Sequence, residues 1–148
     1  MLNSKIKTSI DKSVLCWLAT SNENIPNVSP KEVFTYFDDF HIIVANIASP
    51  QTVKNIKNNP NVCMSFIDIF VQKGYQIKGK ATIIDNSNPE FIRMEKMLLK
   101  ITKGKYPFKT ITSISVDSIK TIMAPSYLLY PETTEAEQIE AAKKAYGI

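Results

Sequence analysis

The stretch Ile25-Pro26-Asn27-Val28-Ser29-Pro30-Lys31-Glu32-Val33-Phe34, with Phe40-His41-Ile42-Ile43-Val44-Ala45-Asn46 and Ile47-Ala48-Ser49-Pro50-Gln51-Thr52-Val53 after it, decides how this chain reads. The first two runs are rich in β-branched and aromatic residues, and the acidic pair Asp38-Asp39 between them suits a turn. They predict two strands. Pro26 and Pro30 cannot donate to a ladder, so the first strand is an edge or is bulged. A short helix follows and ends at Pro60. Ser49 suits its N-cap and Pro50 its first position, where a missing N–H costs nothing. The amides of Gln51, Thr52 and Val53 then point outward at the positive end of the helix dipole, which favours an anion. Ser49 and Thr52 add hydroxyls, and Gln51 adds an amide. The same text is also ordinary capping chemistry, and most capped helices hold no anion.

Upstream, Leu2, Ile6 and Ile10 mark one apolar stripe of a helix over 3–12. Val14 to Thr20 is almost wholly apolar, includes Trp17, and fits a strand buried on both faces or set in a barrel wall. Downstream, Asn61 to Ile69 is a second apolar strand. Gly74 to Asp85 alternates, with Tyr75, Ile77, Gly79 and Ala81 against Gln76, Lys78, Lys80 and Thr82. Asn88 and Pro89 predict the start of a helix with Phe91, Met94, Leu98 and Ile101 as its buried stripe. Lys100, Lys103 and Lys105 cluster at its C-terminal end, where the dipole favours cations. Thr110 to Ala124 reads as a long strand with a bend at Asp117-Ser118, and Tyr127 to Tyr130 as a short extended segment. Thr134 and Glu137 form a capping box for a final helix at about 133–146. Six strands, mostly consecutive and joined by short turns, favour a mainly β chain with helices (α+β), folded as one antiparallel barrel domain over 1–148.

Composition narrows the function. Hydrophobic residues make up 44% and charged ones 22% of 148 residues, as in ordinary globular domains. The formal charge is +4, but Arg93 is the only arginine and the lysines are spread along the chain, so no nucleic-acid surface is indicated. No apolar run approaches a membrane span and no signal-peptide pattern opens the chain, so the expectation is a cytoplasmic protein without membrane contact. Cys16 and Cys63 lie in separate apolar runs and read as reduced, buried thiols. His41 is the single histidine, no Ser-His-Asp set assembles, and the carboxylates lack metal-ligand spacing, so no catalytic residue and no metal are predicted. There is no Gly-x-Gly-x-x-Gly fingerprint. A chain so poor in catalytic side chains either binds passively or borrows a cofactor.

The segments Asn27-Val28-Ser29-Pro30-Lys31, Ile43 to Pro60 and Gly74 to Ala81, in that order and spacing, resemble the FMN-binding split-barrel proteins related to pyridoxamine 5'-phosphate oxidase, above all their short flavin-nucleotide-binding members. The resemblance covers about residues 10 to 125. It implies a six-stranded antiparallel split β-barrel with FMN as cofactor. Carried over by position, Ser49, Gln51 and Thr52 would hold the phosphate. Ser29, Pro30, Lys31, Val44, Ala45 and Asn46 would line the flavin, and Gln76 would reach it from a later strand. Lys31 near the ring would stabilise its anionic reduced form. The resemblance further implies a homodimer with flavin at the subunit boundary. The activity so implied is an FMN-dependent oxidoreductase passing reducing equivalents from a nicotinamide or protein donor to a small acceptor. The alternatives are a non-enzymatic FMN carrier or electron-transfer protein and, third, a haem-binding split-barrel protein. Pyridoxamine-phosphate oxidation itself is disfavoured, because no Arg follows Arg93.

Overall fold

The computed structural model describes all 148 residues. Its elements run α1 (Ser4–Lys12), β1 (Cys16–Asn22), β2 (Ile25–Lys31), β3 (Phe34–Tyr36), β4 (His41–Ala45), α2 (Pro50–Asn58), β5 (Asn61–Asp68), β6 (Lys73–Ile84), α3 (Phe91–Thr102), β7 (Ile111–Met123), α4 (Pro125–Leu129) and α5 (Glu135–Tyr146). The strands form one sheet in the order β2-β1-β5-β6-β7-β4-β3, every neighbouring pair antiparallel.

Two residues explain why this sheet curls into a split barrel. β2 is one edge of the sheet and β3 the other, yet only Glu32 and Val33 separate them in sequence. So short a link spans two opposite edges only if the sheet bends round to bring them together. The strand expected over Ile25 to Phe34 is therefore two strands, and the sheet has seven rather than six. The break falls after Lys31 because its register partner, Cys16, is the first residue of β1, so Glu32 has nothing further to pair with. The edge position expected of the proline-bearing strand is observed. The β1–β2 turn uses Glu23 and Asn24, both in the left-handed region at φ 51° and 62°, as a two-residue turn matched to strand twist requires.

The inner face of the sheet closes over Leu18, Ile42, Met64, Phe66, Ile77 and Ile114, with Leu2 ahead of α1, Ile6 and Ile10 of α1 and Ile56 of α2 packed onto them. A second core lies on the other side of β4, where Phe91, Met94 and Leu98 of α3 cover Ile43, Ala45 and Ile111. The bend expected at Asp117-Ser118 is a bulge: Lys78 pairs Ser118 and Gly79 pairs Val116, leaving Asp117 as the extra residue. Gly79 is required there, since a Cβ on it would lie 2.2 Å from the Ser115 carbonyl oxygen.

Several local expectations change. β1 begins at Cys16, Val14 is exposed, and Trp17 is 49% exposed, because it points from the outer face of β1, away from the part that α3 covers. α3 begins at Phe91, as the Asn88 side chain accepts from the Glu90 amide in a turn instead of capping the helix. Thr102 rather than Ile101 completes its buried stripe. Tyr127 to Leu129 is helical, set by Pro125 at the first position of α4 and tied down by Tyr127 Oη donating to the Val71 carbonyl. The capping box at Thr134 and Glu137 forms as read.

Candidate functional site

The start of α2 faces the inner side of β2. Alternation along β2 sends Pro30 and Val28 outward and Ser29 and Lys31 inward, toward the helix. Lys31 is buried, and its Nζ donates to Ser49 Oγ at 2.6 Å. Ser29 Oγ and Thr52 Oγ1 lie 3.2 Å apart. Ser49 Oγ in turn donates to the Ile47 carbonyl at 2.9 Å. Ser49 is thus the N-cap by position, but its hydroxyl makes no capping bond, because Lys31 and Ile47 engage it. The first backbone capture in α2 is Val53 N–H to Ser49 O, and the amides of Gln51 and Thr52 lie ahead of it at the positive end of the dipole. Ala48, just before this start, holds φ 48° without being glycine. Such backbone costs about 1 kcal/mol or more and concentrates at functional positions.

Burial pushes the Lys31 amine below its ordinary value, and Cys16, its register partner, would push it the other way if ionised. A cation desolvated in this way, with only a hydroxyl as partner, is poised to gain from an anion. The residues therefore suit a phosphate group: one buried ammonium, the hydroxyls of Ser29, Ser49 and Thr52, and two leading amides lie at one helix start.

Beside it lies a groove of about 260 Å³ lined by Pro30, Lys31, Glu32, Val33, Ala45, Ile47 and Tyr106. Its size and largely apolar walls suit a planar ring. A wider, polar depression of about 710 Å³ runs along the other flank of α2, past Asn46, Ser49, Lys54, Lys57 and Thr110.

The structure thus gathers Ser29, Pro30, Lys31, Ala45, Ser49 and Thr52 around one place. It sets others apart. Val44 is wholly buried in the core and offers the groove no side chain. The Gln51 side chain turns along the helix and donates to Asn55 Oδ1 at 2.7 Å. The Asn46 side chain is held between Thr110 and Thr112 at the edge of the wider depression. Gln76 stands on the outer face, in one cross-strand row with Ser65, Trp17 and Pro30. Val33, Ile47 and Tyr106 were missed by sequence reasoning. Val33 and Ile47 sit in the links after β2 and β4, and Tyr106 follows a helix far along the chain. No local pattern ties the three together.

Known structures share this architecture. HupZ of Group A Streptococcus is 24% identical, with 84% of this chain and 96% of that one covered and a TM-score of 0.71. An FMN-binding protein from Syntrophomonas wolfei is 20% identical over 83% of this chain and 87% of its own, at a TM-score of 0.69. A FAD-binding protein from Mesorhizobium loti is 14% identical over 81% and 93%, at 0.65. Among curated proteins none matches. The model of the family described as pyridoxamine 5'-phosphate oxidase matches residues 2–123, which takes in every strand, the α2 start and the groove. On that match, the chain belongs to the pyridoxamine 5'-phosphate oxidase family.

Proposed function

We propose that this protein is an FMN-dependent oxidoreductase that passes reducing equivalents from a nicotinamide or protein donor to a small acceptor. The observation that carries this reading is the buried Lys31 ammonium on Ser49 at the α2 start, next to a ring-sized groove. When bound, FMN supplies the redox chemistry. The chain supplies the rest. Ser49, Thr52 and the leading amides of α2 bind the phosphate. Lys31 neutralises it, and because it also walls the groove it places positive charge at the ring. Pro30, Ala45 and Ile47 exclude water from one ring face.

The reading includes a homodimer. The outer face of β1 and its surroundings expose Val14, Trp17, Val28 and Ile69, and a depression of about 470 Å³ opens between Val14, Trp17, Ile67 and Phe70. Apolar surface grouped this way is unusual on a small monomer and supports a second copy as its cover. Gln76 shares this face, so in a dimer it would serve the partner's site rather than its own. A cytoplasmic location belongs to the same reading and is supported by two unpaired cysteines. No helix is long and apolar enough to cross a membrane.

Titration with FMN and with riboflavin tests the site. FMN should bind at least tenfold more tightly, because the phosphate makes the charged contacts. Equal affinities would sink the assignment. Anaerobic mixing of the FMN-loaded protein with NADH and NADPH then tests the reaction, and bleaching of the flavin band within seconds is the result expected.

A further inference from the structure

The segment from Lys100 to Thr110 carries four lysines, Lys100, Lys103, Lys105 and Lys109, and no acidic residue, so it equals by itself the +4 excess of the whole chain. The helix dipole accounts for Lys100 and Lys103 at the end of α3. It does not account for Lys105, Lys109 or the aromatic ring between them. The segment is an arch fixed at both feet. At one foot, buried Thr102 accepts the Gly104 amide on its hydroxyl at 3.2 Å and the Lys105 amide on its carbonyl at 3.1 Å. At the other, Phe108 packs on the core beneath α3. Lys103 and Gly104 turn the chain sharply with φ 53° and 73°. The crest presents Tyr106, which is 56% exposed yet walls the ring groove across from Pro30, Lys31 and Ala45.

An aromatic ring at the mouth of a ring-sized groove, flanked by unpaired lysines on a braced arch, suits a ligand that is planar at one end and anionic at the other. Tyr106 offers a face for stacking, and the lysines offer compact charges for phosphate. We propose that Tyr106 and the Lys103–Lys109 arch form the docking site of a nicotinamide dinucleotide, its ring against Tyr106 at the groove and its phosphates on Lys103 and Lys105. This rests on the flavin reading above. It gives the nicotinamide donor of that reading a place, on residues that neither the family match nor the sequence assigns, and it gives a reason for the local charge.

NADP⁺, which cannot reduce the flavin, is the probe. FMN uptake is measured first, by quenching of FMN fluorescence, on the wild type and on the variants K103E/K105E, Y106A and Y106F. The FMN-loaded wild type should then show a saturable change in its flavin absorption band on titration with NADP⁺, weakened by added NaCl. K103E/K105E should raise the NADP⁺ Kd at least tenfold and leave the FMN Kd within twofold. Y106A should abolish the band change at an unaltered melting temperature, and Y106F should retain it. Normal FMN uptake with no band change in the wild type, or with variants that bind NADP⁺ like the wild type, overturns the docking site and leaves the flavin reading standing. A wild type that takes up no FMN overturns both.

Discussion

Cys16 and Lys31 are register partners across the β1–β2 pair, and both side chains are buried on the inner face of the barrel beside the start of α2. A thiol and an amine facing each other out of water oppose each other's shifts. Burial pushes the Cys16 thiol from 9.0 up to about 12, with Lys31 drawing it back, and burial lowers Lys31, with Cys16 drawing it back. The same strand pair therefore supplies both a buried neutral thiol and the cation of the candidate anion site.

Replacing Lys31 by Met keeps the aliphatic stem and removes the charge. FMN affinity should fall at least tenfold, since a charged hydrogen bond contributes about 1.5–3 kcal/mol. The apo-protein should melt no lower at pH 7, because the variant no longer has to bury an amine whose charged form burial disfavours. Paired titration and melting curves decide it. Unchanged FMN affinity would place the phosphate elsewhere.

Ser49→Ala with Thr52→Ala should also cost at least tenfold in FMN affinity, through two hydroxyl contacts to a charged group. Ser49 makes no side-chain cap, so its share of apo stability comes from holding Lys31 and Ile47 rather than from α2 itself. A drop in melting temperature without a drop in affinity would show the pair to be structural only.

Cys16 makes stability fall in alkali. Its pKa is raised in the folded chain, so the unfolded thiol ionises through about pH 9 while the folded one stays protonated to about 12. The contribution is complete below pH 9 and is lost as pH rises toward 12. Cys16→Ala leaves a small cavity and should be less stable than wild type by about 1 kcal/mol at pH 7. Above pH 9 the gap should close and then reverse. Parallel denaturation curves at pH 7 and pH 10.5 measure it, and a constant gap would refute the link.

Gly79→Ala should destabilise by more than about 2 kcal/mol, because the added methyl meets the Ser115 backbone oxygen at the bulge, where no side chain can move aside. Urea unfolding at unchanged m-value is the check.

Trp17→Glu tests the proposed dimer. Sedimentation at low micromolar concentration should give a dimer for wild type and a monomer for the variant, with an interface of about 2,000 Å² or more behind it. Apo and FMN-loaded samples belong in the same run, since a ligand bound only by the assembled site stabilises the assembly. A wild-type monomer that binds FMN tightly would mean that one chain builds the whole site.

Alternation and punctuation made much of the fold legible in the sequence alone. Pro26 and Pro30 marked a strand at an edge or bulged, Asp117-Ser118 a bend, Thr134 and Glu137 a capping box, and Ser49-Pro50 the start of α2; the structure makes the first an edge and the second a bulge. These are contests between near neighbours, in which a missing N–H or a short polar side chain acts on its own backbone. What only the tertiary structure decided depends on which distant segments the closed sheet brings together. The break at Glu32-Val33 follows from where β1 begins, not from those two residues. Lys31 meets Ser49 because the inner face of β2 looks onto α2, and the Ser49 hydroxyl then abandons its cap for a buried ammonium. Val44 is lost to the core and Gln76 to the outer face by the same two-residue alternation, whose absolute direction no single strand can set. Tyr106 reaches the groove because Thr102 and Phe108 pin the arch that carries it, and that placement exists only once α3 has packed on β4.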